Sequence, residues 1–228
     1  MKYNYKVFKN SEYTIIHSSG LKIGQKIPDL DVYDLEGNKK SFLSLVSTPI
    51  ILETGSITCG MFAHQNKRMN ALAKKQEDFT FLILYVREVH PGKLIKPHDS
   101  ISQKCLLAER LLTEEKIQNR FVVVDNLNGD LHQLLGALPN MVFLINEAGE
   151  ICYKNDWNNS KQLEKAINSY TKSEKVIKQK WTMLPIPNLK ADYRVFKRAG
   201  WDAGLDFIKA LPKLIYSHLI QGINNYFK

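Results

Sequence analysis

The sequence predicts an α/β domain: a mixed central sheet flanked by helices, with a helical C-terminal extension. Three observations carry this. Short continuous apolar runs at residues 49–54, 79–86, 121–125 and 141–145 have the length of strands buried on both faces. Segments of helical periodicity separate the first three runs, which implies parallel pairing through right-handed crossovers. The tight turn at Ala148-Gly149 joins the fourth run to Ile151-Cys152-Tyr153, so the last pair is antiparallel.

The elements follow in order. Residues 13–16 (Tyr-Thr-Ile-Ile) read as a short strand, and residues 21–29 as a loop punctuated by Gly24 and Pro28. Asp31-Val32-Tyr33 and Lys40-Ser41-Phe42 flank a hairpin turn at Leu35-Glu36-Gly37-Asn38. After the strand at 49–54, Gly55 to Gly60 forms a loop. Residues 61–76 are helical, with Met61, Phe62, Met69, Leu72 and Ala73 on the apolar side. Ser100 is the expected N-cap of a helix running to about Gln118, with the stripe Ile101, Cys105, Ala108, Leu111 and Leu112. A short helix over 130–135 ends at Gly136, and a polar helix begins near Asn159.

This β-α-β then β-β-α order is the thioredoxin arrangement. Pro139 stands just before an interior strand, where it cannot donate a ladder bond. A cis peptide bond at Pro139 is therefore predicted, with the proline facing the active-site cysteine as in thioredoxin folds. Residues 1–180 form the domain. Residues 181–228 are the extension, marked off by Pro185-Ile186-Pro187.

Charge divides the chain near residue 153. Residues 1–153 hold 18 Lys+Arg against 17 Asp+Glu, and residues 154–228 hold 14 against 6. The basic end suggests an anionic partner, which could be a membrane surface, a nucleic acid or an acidic protein; a plain solvated face is the other reading. Trp201, Leu205, Ile208, Ile215, Leu219 and Ile223 follow helical spacing beside Lys209 and Lys213. Pro212 is expected to break or restart that helix. The stripe either docks on a membrane surface or partner, or covers the domain's own apolar face. No apolar run approaches the roughly 18 residues of a membrane span, and no signal-like core follows the N-terminus. The expected location is cytoplasmic, with membrane-surface association as an addition.

There are three cysteines and no C-x-x-C pair, which is too few for a disulfide framework and fits a reducing compartment. Cys105 lies on an apolar helix stripe and Cys152 in a late strand, so both read as structural. Cys59 differs: it stands in the loop between a buried strand and the helix that follows. A thiol there meets unpaired N–H groups and the positive end of the helix dipole, which favour thiolate.

Gly55-Ser56-Ile57-Thr58-Cys59-Gly60-Met61-Phe62 resembles the selenocysteine loop of the iodothyronine deiodinases, Gly-Ser-Cys-Thr-Sec-Pro-Pro-Phe, with Sec falling on Cys59. Tyr85-Val86-Arg87-Glu88-Val89-His90 resembles that family's Tyr-Ile-x-Glu-Ala-His. Gly136-Ala137-Leu138-Pro139 matches its Gly-Ala-Leu-Pro, and His98 matches a second histidine. Residues 21–45 resemble the related peroxiredoxin-like redoxins. The departures are Cys for Sec, Ile57 for Cys, Gly60-Met61 for Pro-Pro, and Met141 for an Arg. The resemblance implies a thiol-dependent oxidoreductase with Cys59 as nucleophile, acting on a halogenated phenol, peroxide or disulfide. Ser56 and Thr58 would donate hydrogen bonds to the thiolate. His90 would pass protons, Glu88 would orient it, and His98 and Pro139 would contact substrate. No metal or cofactor is expected, only an external thiol reductant such as thioredoxin or glutathione. Further expected partners are a homodimer mate and a membrane surface met through the C-terminal helices, with no nucleic acid. The alternative is a redox-inactive binding module that uses its basic tail.

Overall fold

A computed structural model of the chain describes residues 3–8, 20–173 and 188–226, with side chains to residue 216 in the last helix. The elements run β1 (Asp31–Tyr33), β2 (Lys39–Ser41), β3 (Ile50–Gly55), α1 (Gly60–Lys75), β4 (Thr80–Tyr85), α2 (Ile101–Glu114) and β5 (Phe121–Asp125). They continue with α3 (Asp130–Leu135), β6 (Val142–Ile145), β7 (Ile151–Asn155), α4 (Ser160–Thr171), α5 (Leu189–Ala199) and α6 (Trp201–Tyr226). The strand proposed at 13–16, the linker at 185–187, and the side chains of Leu219 and Ile223 lie outside the described residues.

The seven strands form one mixed sheet in the order β2-β1-β5-β4-β3-β6-β7. β3 pairs parallel with β4, and β4 with β5, while β6 runs antiparallel to both β3 and β7. This is the thioredoxin-like fold that the order of elements predicts. β3 is buried along its whole length because both faces are covered. Ile50 and Leu52 pack with Ala108 and Leu111 of α2 and Leu131 and Leu135 of α3. Ile51 points the other way, into Met69 and Leu72 of α1 and Leu163 and Ile167 of α4. Alternation along one strand thus feeds two cores.

Three features differ from the sequence reading. α2 stops at Glu114 because Lys116 and Asn119 adopt left-handed backbone, φ 52° and 57°, which a helix cannot continue through. Ser100 caps it as expected, accepting from Gln103 N–H. No peptide bond among the described residues is cis, so the bond before Pro139 is trans. Pro139 lies in a turn that precedes the strand, so no ladder bond is asked of it. Pro212 does not break α6. Pro212 and Ile208 are both on the exposed side, so the carbonyl that the proline leaves unbonded faces water.

α5 and α6 dock on the sheet domain. Ala191, Val195, Phe196 and Ala199 of α5 and Ala203 of α6 pack with Ala63 of α1. Phe207, Ala210 and Leu214 of α6 meet the main core. The face that covers the domain is therefore not the stripe picked out in the sequence. Trp201, Leu205, Ile208 and Ile215 point outward.

Candidate active site at Cys59

β3 ends at Gly55, and the chain turns through Ser56–Thr58 into α1. A side chain at Gly55 would strike the Phe62 ring, at 2.3 Å from an added Cβ, so glycine lets the first turn of α1 close against the strand end. Cys59 is the N-cap of α1, and its Sγ accepts from the Phe62 N–H at 3.4 Å. The sulfur thus takes the place usually held by a Ser, Thr or Asp oxygen. Sγ also lies 3.8 Å from the Pro139 carbonyl oxygen. That loop is fixed from two sides: Thr54 Oγ1 donates to the Leu138 carbonyl and accepts from Met141 N–H, and His132 Nε2 donates to the same Leu138 oxygen at 2.8 Å. Pro139 meets the cysteine by its carbonyl and through a trans bond, not the cis bond expected.

Burial reverses the expected acidity. Cys59 is only 1% exposed. Burial pushes its pKa up to about 12; the amides of Phe62 and Met61 pull it down, and the carboxylates of Asp192 and Glu53 add to the rise. Desolvation outweighs the helix terminus.

Beside the thiol is a buried polar knot. Glu88 accepts from Thr58 Oγ1–H at 2.5 Å, Thr58 N–H at 3.2 Å, Tyr85 O–H at 2.5 Å and His98 Nε2 at 2.9 Å. Burial alone would raise the Glu88 pKa, but the bond and charge of His98, with Thr58 and Tyr85, hold it below its usual value. An ionised carboxylate only accepts, so the His98 proton sits on Nε2. Thr58 Oγ1 in turn accepts from the N–H groups of Val89 and His90. The loop carrying Cys59 is thereby tied to the segment after β4.

Three expected pairings are not formed. Glu88 orients His98, not His90, because the chain leaves the strand after Tyr85 and strand alternation no longer applies. Thr58 gives its hydroxyl proton to Glu88, and the buried Ser56 hydroxyl has no hydrogen-bond partner, so neither donates to the thiol. His90 stands in an aromatic cage, 4.5 Å from Phe8, 5.2 Å from Phe207 and 5.4 Å from Phe196, centroid to centroid. Burial depresses its pKa to about 3, so it is neutral. Cys105 and Cys152 approach other carbonyls, of Asp34 and Glu150.

α5 closes the site. Arg198 donates to the Ile57 carbonyl at 3.4 Å and pairs with Glu115, which Arg194 meets at 3.0 Å. An added Cβ on Gly60 would fall 1.9 Å from Asp192 Oδ1, so this carboxylate lies against the open end of α1. Burial raises its pKa to about 6. A second buried pair, Glu53 with Arg120 at 2.6 Å, lies within β3 and the β5 approach, joined by Asn158 and Asn66. Among the described residues, no group of His, Cys, Asp or Glu is arranged to hold a metal ion. Sequence reasoning missed Tyr85, Glu53, Arg120, Asp192 and Arg198. Only Tyr85 had a signal, its place three residues before Glu88 in a recognised motif.

The family model of iodothyronine deiodinases matches residues 1–170. The chain belongs to that family. Among solved structures, it is similar to a thiol peroxidase from Chromobacterium violaceum at 15% identity and TM-score 0.51, covering 74% of this chain and 98% of that one. A hypothetical protein from Sinorhizobium meliloti 1021 matches at 11% identity and TM-score 0.54, covering 71% and 91%. An uncharacterized conserved protein from Geobacillus kaustophilus matches at 10% identity and TM-score 0.54, covering 71% and 88%. At these identities the likeness is one of fold. Family and fold together are those of thiol oxidoreductases.

Proposed function

We propose that this deiodinase-family protein is a thiol-dependent oxidoreductase with Cys59 as its nucleophile, acting on a small substrate, a halogenated phenol before a peroxide or a disulfide. The observation that carries this reading is the Cys59 sulfur at the N-cap of α1, one residue from a threonine bound to the Glu88–His98 pair. In the reaction, Cys–SH and R–X give Cys–S–X and R–H. The sulfur bonds to X, the R–X bond breaks with its electron pair on R, and the thiol proton ends on R. The Glu88–His98 pair, tied to the thiol loop through Thr58, would take and return that proton. Two external thiols R′SH then restore Cys–SH, leaving R′S–SR′ and HX, where HX is hydrogen iodide, water or a thiol.

The test is iodide release from an iodinated phenol in the presence of dithiothreitol. Wild-type protein is expected to turn over, and Cys59→Ser is expected to lose at least a hundredfold; equal rates in the two would sink the proposal. The raised thiol pKa favours a second reading, a redox-inactive binding module. Silence of the wild type toward iodinated phenol, peroxide and disulfide alike would select it.

A further inference from the structure

We propose that the outward face of α5 and α6 docks the protein on an anionic lipid surface. This goes beyond the thiol chemistry and does not depend on it. α6 is apolar on two opposite sides. Positions 203, 207, 210 and 214 pack inward, while positions 201, 205, 208, 212 and 215, at the same helical spacing, face out. Trp201 is 58% exposed, Leu205 58% and Ile208 62%. α5 extends the face with Leu189, 84% exposed, and Tyr193, whose ring lies 5.6 Å from that of Trp201. Tyr216 continues it at the far end. A contiguous exposed apolar patch of this kind marks an interaction surface.

The chemistry around the patch selects the occupant. Lys190, Lys197, Lys209 and Lys213 are exposed along the two helices, and this end of the chain carries the excess positive charge, 14 Lys+Arg against 6 Asp+Glu in residues 154–228. A second copy would bring the same cations against them, whereas a bilayer of anionic headgroups neutralises them. Tyr and Trp at the boundary of an apolar stripe suit the interfacial layer, where one end of each ring is wet. No helix among the described residues is long and apolar enough to cross a membrane, so the mode is lying on the surface.

The experiment is co-sedimentation of the full chain with vesicles of 70:30 phosphatidylcholine and phosphatidylglycerol, and with phosphatidylcholine alone. Binding is expected with the mixed vesicles, weakening as salt rises. The double variant Leu205→Glu/Ile208→Glu should lose at least tenfold in partitioning. Lys209→Glu/Lys213→Glu should lose at least the roughly fivefold that one lysine near an anionic surface contributes. Both pairs are exposed, and circular dichroism checks that the fold is kept. No binding to the mixed vesicles, or binding that both variants leave unchanged, overturns the proposal. A concentration-dependent dimer in sedimentation equilibrium that Leu205→Glu/Ile208→Glu makes monomeric also overturns it, and assigns the face to a second copy.

Discussion

Replacing Glu88 by glutamine tests the polar knot most directly. The carboxylate gathers four donors on two oxygens. Thr58 Oγ1 already accepts two amide protons, so its own proton has nowhere else to go. A glutamine must therefore turn its carbonyl toward Thr58 and its amide toward Tyr85 and His98. His98 must give up the Nε2 proton, keep one on Nδ1, which has no hydrogen-bond partner, and accept at Nε2. Tyr85 must reverse its hydroxyl. The net loss is about one charge-assisted bond, roughly 1.5–3 kcal/mol. Glu88→Leu strands all four donors and should cost about twice that. Guanidinium unfolding at pH 7 measures both, and a glutamine variant within 0.5 kcal/mol of wild type would refute the reasoning. Acid gives the same answer by another route. Because the folded-state pKa of Glu88 is depressed, its contribution is complete above the unfolded value of about 4.5 and is lost as pH falls below it. The glutamine variant should lack that part of the acid slope.

Other outcomes follow from the same geometry. His90 and His132 are buried and neutral, each with a folded pKa of about 3, against about 6.5 unfolded. The unfolded chain therefore binds protons first, and stability falls as pH drops below 6.5, by about 1.4 kcal/mol per group at pH 5.5. Urea midpoints from pH 7.5 to 5.5 should show this, with His90→Phe removing about half of it. Cys59, with its pKa near 12, should react with iodoacetamide roughly a thousandfold more slowly than a free thiol at pH 8, behind the half-buried Cys152. Arg198→Ala removes the tie from α5 to the Ile57 carbonyl and to Glu115, and should raise that rate about tenfold by mass spectrometry; an unchanged rate would show that α5 does not limit access. Arg120→Met strands Glu53 inside the sheet and should cost about 3–5 kcal/mol, most of it recovered when Glu53→Gln is added.

The legible parts of the sequence were those set by local chemistry. Continuous apolar runs gave β3, β4, β5 and β6, and Ser100 and Asn159 marked the starts of α2 and α4 because a side-chain oxygen at those places satisfies the first amides. Cys59, Thr58, Glu88, His98 and Pro139 do come together. What was not legible was who meets whom. Glu88 and His90 look like partners at a spacing of two only if the strand continues, and it ends at Tyr85. The acidity of Cys59 could not be read from its place before a helix, since the dominant influence is burial. Asp192 and Arg198, more than a hundred residues away, carry no mark of their role until α5 is laid against α1. The direction of the α6 stripe stayed open between docking outward and covering the domain, because both of its faces are apolar and periodicity cannot say which one faces in.

The thiol is enclosed by elements that are each tied down by buried bonds. Thr58, Glu88, Tyr85 and His98 are tied by short bonds into the strand exit, and Pro139 is held by Thr54 and His132. None of these can swing aside without breaking buried hydrogen bonds, each of which leaves a donor unpaired. α5 closes the remaining side. It meets α1 through a small alanine-rich cluster, Arg198 joins the Ile57 carbonyl to Glu115, and the Ala199 carbonyl accepts from the amides of Leu94 and Ile95. Opening any side of the site therefore breaks buried hydrogen bonds or ion pairs. Asp192 of α5 is also one of the carboxylates that add to the rise in the Cys59 pKa, behind burial itself, so the same enclosure governs both the access to the thiol and its acidity.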